Sequence, residues 1–265
     1  MALRVTSLLT NFGINLMLNP FIDTISIAFV LVPLIVFGFA HAFSKSGWTL
    51  IADLSQPIGV VGTIIGLVGI LQNMSDPKLL PFAISISLLT ISYGLIISGL
   101  TSRDYRELSD HYSSTTKKGI AMAVTLGVMF WGMDAAAGLG AFLDLQSLIS
   151  VTAGIGAFII MDKILNTPTP NGWGQRLLGI GLVFFVAGSI DMLVNLGDPR
   201  AMGPAMAWGL LSLFYCLLLL IFGRLWFPTL LNESRGNLRT GFLSFTLPFL
   251  IGIGFQITLL LLSFN

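Results

Sequence analysis

Charge is what this sequence has least of. Only 9% of its 265 residues are Asp, Glu, Lys or Arg, against roughly 25% in a typical soluble domain. Hydrophobic residues make up 55%. A soluble domain of this length could not cover its surface with so few charges, so we predict that membrane lipid is the chain's solvent. The formal net charge of +1 argues against nucleic acid as a partner, because nucleic acid requires a basic surface.

Cysteine and histidine are almost as scarce. The single cysteine, Cys216, cannot form an intrachain disulfide. The two histidines, His41 and His111, have no partners at the spacing of metal ligands. The sequence contains no nucleophile motif, phosphate-binding loop or pair of catalytic carboxylates that we recognise. We therefore expect no enzyme active site, no bound metal and no cofactor.

Long apolar runs make up most of the chain. They reach the roughly 17–25 residues that cross a bilayer as a helix, which predicts an all-α, polytopic membrane protein with about eight transmembrane helices. We place these spans at 26–44, 57–74, 80–100, 119–138, 147–165, 176–195, 203–224 and 241–262. Residues 1–20 carry apolar side chains on one helical face, which favours an amphipathic helix in the interface; a short membrane segment is the alternative.

Basic residues lie mostly on one side of this topology. The predicted loops 45–56, 101–118, 163–176 and 224–240 hold ten of the 13 Lys and Arg residues. Cytoplasmic loops carry such an excess, so we predict that these four loops are cytoplasmic.

The sequence resembles itself when it is shifted by 122 positions. Ten of the thirty residues 66–95 are identical to their counterparts in 188–217. At a shift of 121, FIDTIS at 21–26 meets FLDLQS at 142–147. Each copy holds an even number of spans, so both copies would have the same orientation, as in parallel-repeat membrane proteins. We predict a first repeat over 21–140 and a second, degenerate repeat over 141–265.

Glycines cluster in the second predicted span. Gly59, Gly62, Gly66 and Gly69 are spaced three, four and three apart. Glycine costs about 1 kcal/mol per helical position relative to alanine. Small residues let membrane helices approach closely, so we interpret this face as a helix-packing surface.

The motif around these glycines resembles a known family. The run P-x-G-x-x-G-T-x-x-G-L from Pro57, then N-x-S-D-P from Asn73, then L-L-T-x-x-Y-G from Leu88 is similar to the last two membrane helices of the MotA/TolQ/ExbB proton-channel family, and most similar to MotA-type stator subunits. The stretch 138–158 also resembles the turn between the first two MotA helices.

The resemblance implies an ion-channel subunit in the bacterial cytoplasmic membrane. It implies assembly as a homo-oligomer or ring with sister subunits around a single-span MotB/ExbD-like partner. It also implies that small polar residues of the last two family helices line the ion path, which here indicates Thr63, Ser87, Thr90, Ser92 and Tyr93.

Two departures from the family pattern bear on function. The large cytoplasmic domain of MotA-type subunits is reduced here to predicted connections of about eleven residues, which argues against contact with a flagellar rotor. In the second copy, Thr63 becomes Phe185, Thr90 becomes Ser212 and Gly94 becomes Cys216.

Four acidic residues occupy notable positions. Asp134 and Asp191 fall within predicted spans, where an acid is a candidate functional residue, although both lie near the outer ends. Asp76 and Asp198 precede prolines in matching outer loops, which is typical of helix caps.

Three functions follow as alternatives. The first is the ion-channel subunit. The second is a structural membrane subunit that holds partner helices without conducting. The third is a solute transporter, since parallel repeats also occur in transporters.

Overall fold

The structure is a computed structural model that describes residues 22–41, 43–72, 80–101, 114–165, 172–195, 198–227 and 238–262. Eight α-helices and one short 3₁₀ helix, Leu139–Phe142, account for most of these residues. The helices are α1 Thr24–Ala40, α2 Lys45–Gln72, α3 Leu80–Thr101, α4 Thr115–Ala137, α5 Leu145–Ile164, α6 Trp173–Val194, α7 Pro199–Trp226 and α8 Leu238–Leu262. The prediction for residues 1–20, and those for Asp76 and His111, lie outside the described residues.

The predicted all-α membrane architecture is confirmed. Six helices, α2 to α7, are long and apolar enough to cross a membrane, the 3₁₀ helix adding to the apolar run of α5. The helix α1 and the part of α8 from Thr246 to Leu262 are apolar but shorter. The chain is a multi-pass membrane protein, and each predicted span coincides with one helix.

The predicted loop 45–56 is wrong, because α2 begins at Lys45 and continues through Pro57. We expected the span to begin at Pro57, since proline removes a backbone donor and usually opens a helix. Ile51 and Leu54, however, are buried in the hydrophobic core, and their packing keeps the extra turns helical. The connection between α1 and α2 is therefore only a few residues long.

Two helices form the centre of the molecule. Of the six candidate spans, α2 and α7 are the most deeply buried. α2 packs closely on α3 and α7 packs closely on α6, while α1 and α4 cover α2 from the other side. α2 also contacts α7 directly, so this contact joins the first four helices to the last four.

Candidate functional site

The glycine face of α2 brings the backbones of two helices close together. A Cβ built on Gly59 would lie 2.7 Å from the carbonyl oxygen of Thr90, and one built on Gly62 would lie 2.9 Å from the Thr90 Cβ. A Cβ on Gly66 would overlap the side chain of Ser87. Gly69 differs, because its nearest neighbour is the carbonyl oxygen of Ala136 in α4, at 2.9 Å. Three glycines therefore pack against α3, and the fourth packs against α4.

Two hydroxyl groups and the backbone carbonyl that both can donate to lie within this close contact. The Thr63 Oγ1 lies 3.0 Å from the Thr90 Oγ1 and 2.9 Å from the Ser87 carbonyl oxygen. Thr90 also donates to that carbonyl, at 2.8 Å. Thr63, Ser87 and Thr90 are all buried. Ser87 contributes its backbone carbonyl, since its own hydroxyl donates to the Ile84 carbonyl at 2.8 Å. We call these three residues the hydroxyl cluster.

The hydroxyl cluster has more acceptors than hydrogens. The Thr63 hydroxyl can also donate to the Gly59 carbonyl, at 3.2 Å, whereas Thr90 can donate to Thr63 or to the Ser87 carbonyl. Each hydroxyl carries one hydrogen and can accept as well as donate. The cluster can therefore change its hydrogen-bond pattern by rotating hydroxyl groups, without moving the backbone.

The other two residues predicted for the ion path lie elsewhere. Ser92 is exposed, and its hydroxyl donates to the Leu88 carbonyl of its own helix at 3.0 Å. The Tyr93 hydroxyl accepts a hydrogen bond from the backbone N–H of Asp23 at 3.2 Å. The structure thus brings together three of the five predicted residues.

A second polar group lies two helical turns from Thr63. It was not predicted from the sequence. The Gln56 Nε2 donates to the Ser98 hydroxyl at 2.6 Å, and the Thr246 hydroxyl donates to the Gln56 Oε1 at 3.4 Å. Ser98 and Thr246 are buried. Seven residues of helix correspond to about 10 Å of rise, so this group continues the polar surface from the hydroxyl cluster toward the start of α2. Thr246 comes from α8, and sequence spacing alone could not have placed it here.

The two intramembrane acids do not belong to the hydroxyl cluster. Asp134 lies in the last turn of α4, and its side chain is exposed. Asp191 is exposed near the end of α6, where its carboxylate accepts from the Asn195 side chain at 3.2 Å. Asp198 directly precedes α7, which begins at Pro199.

The equivalent positions of the second half have a different environment. Phe185, which replaces Thr63, is turned toward α8, where its ring packs against Phe249 with 5.5 Å between centroids. The Ser212 hydroxyl donates to the Trp208 carbonyl of its own helix at 2.9 Å. Cys216 is buried against Gly181. No hydroxyl pair like that of Thr63 and Thr90 is present at these positions.

The two related motifs FIDTIS and FLDLQS occupy equivalent places. Asp23 and Asp144 are the N-caps of α1 and α5, and each accepts from the backbone N–H three residues later at 2.8 Å. Each aspartate also donates its own N–H to a tyrosine hydroxyl. The distance is 3.2 Å for Asp23 to Tyr93 and 3.1 Å for Asp144 to Tyr215. Aspartate is a preferred N-cap residue because its side-chain oxygen can accept these backbone hydrogen bonds. We predicted neither the two caps nor the two tyrosine contacts from the sequence.

Comparison with known proteins supports the resemblance found in the sequence. The model of the MotA/TolQ/ExbB proton channel family matches residues 40–125. This segment contains α2, α3 and the first half of α4. The match covers about a third of the chain, so the similarity to this family is a similarity of this segment. All four glycines and the whole hydroxyl cluster lie inside the family segment, so the recognition made from the sequence motif is confirmed.

Similar curated proteins match shorter stretches of the chain. The chain is 37% identical over 60 residues to the chemotaxis protein PomA of Vibrio alginolyticus, which is 23% of this chain and 24% of PomA. It is 39% identical over 51 residues to motility protein A of Aquifex aeolicus, covering 19% and 20% of the two chains. It is 46% identical over 48 residues to motility protein A of Cereibacter sphaeroides, covering 18% and 19%. Each match spans a quarter or less of the relative. No solved structure matches the chain significantly.

Proposed function

We propose that this chain is an ion-channel subunit of the MotA/TolQ/ExbB type in a bacterial cytoplasmic membrane, working with a single-span partner of the MotB/ExbD kind. The hydroxyl cluster carries this proposal. It lies at the contact of two membrane helices, both within the segment 40–125 that matches the family model. Buried hydroxyl groups with exchangeable hydrogen bonds can bind a proton-carrying water or a small cation in the low-dielectric core, where an unaided ion costs several kcal/mol.

The proposed path runs along α2. It passes from the hydroxyl cluster to Gln56 and Ser98, and then to the carboxylate of Asp53 at the beginning of the helix. Asp53 is paired with Arg224 at 3.2 Å. The basic residues nearby favour the cytoplasm for this end of the helix. A carboxylate on the partner helix would supply the charge that the path itself lacks between Asp53 and the hydroxyl cluster.

We also propose that the chain is built of two parallel repeats, 21–140 and 141–265. Supporting this are the ten identities between the halves and the equivalent hydrogen bonds of Asp23 with Tyr93 and of Asp144 with Tyr215. The first repeat keeps the hydroxyl cluster. In the second repeat Phe185 fills the corresponding space, so the first repeat alone would line the path.

A non-conducting structural subunit is the second candidate. The observation that favours it is the burial of Thr63 and Thr90, which are 0% and 6% exposed within one chain. Both hydroxyls already have protein acceptors. In this case the hydroxyl cluster would only join α2 to α3, and the chain would hold partner helices in place.

Ion flux separates the two candidates. The chain would be co-reconstituted in liposomes with a single-span protein of the MotB/ExbD kind from the same bacterium, and proton and Na⁺ flux would be followed with ion-sensitive dyes. We expect flux from the native pair, and a loss of at least tenfold in the double variant Thr63→Val, Thr90→Val. Valine keeps the shape of threonine but removes the hydroxyl.

The matched control is Thr125→Val. Thr125 is fully buried in α4 and donates only to its own helix, to the Ala121 carbonyl at 2.8 Å. We expect its flux to equal that of the native chain. Undiminished flux in the double variant would refute the path, and absence of flux from a folded native pair would favour the structural subunit.

A further inference from the structure

An ion pair lies at the end of the proposed path that is formed by the beginning of α2. The Arg224 Nη1 lies 3.2 Å from the Asp53 Oδ2, and these side chains are 14% and 25% exposed. Asp53 comes three residues before Gln56, which corresponds to about 4.5 Å of helix rise. An ion that passes Gln56 therefore reaches the Asp53 carboxylate next, and an arginine is already bound to that carboxylate.

Each half of the chain contributes one of the two charges. Asp53 belongs to the first half and Arg224 to the second. At the shift of 122, Asp53 corresponds to Gln175 and Arg224 corresponds to Ser102, and neither counterpart is charged. The ion pair is therefore not a feature that the two repeats share. It belongs to the contact between α2 and α7.

The end of α7 that carries Arg224 is fixed, but the guanidinium is not fully paired. Two residues after Arg224, the Trp226 Nε1 donates to the Met122 Sδ of α4 at 3.0 Å. The Arg224 Nε is buried and has no hydrogen-bond partner among the described residues, although this N–H is always a donor. A buried donor without an acceptor is costly. Arg224 therefore loses less when the pair opens than a fully hydrogen-bonded arginine would.

A guanidinium at this position opposes the passage of a cation in two ways. Its positive charge repels protons and other cations, as an arginine in a selective pore does. It also occupies the carboxylate that would otherwise attract them. The arriving cation and Arg224 compete for one carboxylate, so passage requires the ion pair to separate.

We propose that Arg224 is the gating residue of the ion path and that its pair with Asp53 is the closed state. A proton or Na⁺ that reaches Asp53 replaces the guanidinium as the partner of the carboxylate, and the pair forms again when the ion leaves. This proposal rests on the proposed function. It gives the second half of the chain a role in conduction, although Phe185 fills the space of Thr63 there.

Removal of the arginine charge tests the gate. The chain would again be reconstituted in liposomes with its single-span partner, and ion flux would be measured per folded chain. We expect flux from Arg224→Gln to exceed that of the native chain by about threefold or more, because Asp53 is then free to take the ion. Arg224→Lys keeps a positive charge without the planar fork, and its flux should lie between the two.

Removal of the carboxylate should have the opposite effect. We expect Asp53→Asn to lower flux by about tenfold or more, because Arg224 then keeps its charge and has lost the group that balances it. The addition of Arg224→Gln to Asp53→Asn should restore part of the flux. A double variant as inactive as Asp53→Asn alone would contradict the gate.

Arg176→Gln is the matched control, since Arg176 pairs with Asp162 inside the second half and that pair is also largely shielded from solvent. Its flux should equal that of the native chain. Stability separates the gate from a purely structural role. Arg224→Gln should lower the unfolding midpoint and raise flux, whereas the loss of a purely structural pair would lower both.

Two results would overturn the gate while the channel stands. One is a conducting native chain whose flux Arg224→Gln does not exceed, and the other is an equal rise in flux from Arg176→Gln. Absence of flux from both the native chain and Arg224→Gln, when both are folded, would refute the channel and the gate together.

Discussion

At the residue scale, the atoms that face each glycine decide whether a larger residue could replace it. Gly59 faces backbone atoms of α3, which cannot move aside as a side-chain end can. Gly127, by comparison, has open space where a Cβ would be placed. The same residue type is therefore required at one position and replaceable at the other.

We expect Gly59→Ala to lower the stability of the solubilised protein by about 1–3 kcal/mol, the usual cost of overpacking a close contact. The Cβ would lie 2.7 Å from the Thr90 carbonyl oxygen, so α2 and α3 would have to separate. Gly127→Ala is the control and should leave stability unchanged or raise it by up to about 1 kcal/mol through helix propensity. Thermal unfolding in detergent measures both variants. Equal midpoints would show that the close approach at Gly59 can relax without cost.

At the element scale, the helices α1 and α5 begin in the same way. Asp23 caps α1 and Asp144 caps α5, and the N–H of each aspartate is held by a tyrosine from a distant helix. The cap is a local feature, because its donor lies three residues after the aspartate. The tyrosine contact is non-local, since about seventy residues separate its partners.

We expect Asp144→Ala to destabilise the protein by about 0.5–2 kcal/mol, because the backbone and hydroxyl of Ser147 lose their acceptor. Asp144→Asn keeps a side-chain oxygen at the cap and should cost much less. Thermal unfolding of the two variants gives the comparison. If asparagine and alanine were equally harmful, the carboxylate charge rather than the cap would be what matters.

At the scale of the whole molecule, an ion pair joins the two halves. Arg224 at the end of α7 lies 3.2 Å from the Asp53 carboxylate in the first turns of α2. Both side chains are largely shielded from solvent. An ion pair in such a place is costly to break on one side, because the remaining charge loses its partner.

We expect Asp53→Asn and Arg224→Gln each to lower the unfolding midpoint, and the double variant to lose less than the sum of the two. A coupling energy of about 0.5–3 kcal/mol is typical of residues in contact. The control cycle is Asp53→Asn with Arg176→Gln, since Arg176 pairs with Asp162 inside the second half. That cycle should be additive. Additivity in the Asp53 and Arg224 cycle would contradict a coupling between the halves through this pair.

The sequence by itself determined the membrane environment, the eight helices and the glycine face of α2. These features depend on local composition and spacing, since an apolar run of about 20 residues has few alternatives to a helix in lipid. The family motif is local too, which is why the segment 40–125 could be recognised. Position along the chain also placed Thr63 and Thr90 on adjacent helices.

Only the tertiary structure decided which helices meet. The tertiary structure extended α2 back to Lys45, because Ile51 and Leu54 are buried in a core whose packing cannot be predicted from the local sequence. It brought Thr246 to Gln56, nearly two hundred residues apart. It also packed α2 against α7 rather than leaving either helix in lipid. In a bilayer every apolar helix face is equally compatible with lipid, so hydropathy does not select a partner, and the choice depends on close packing and on a few polar contacts.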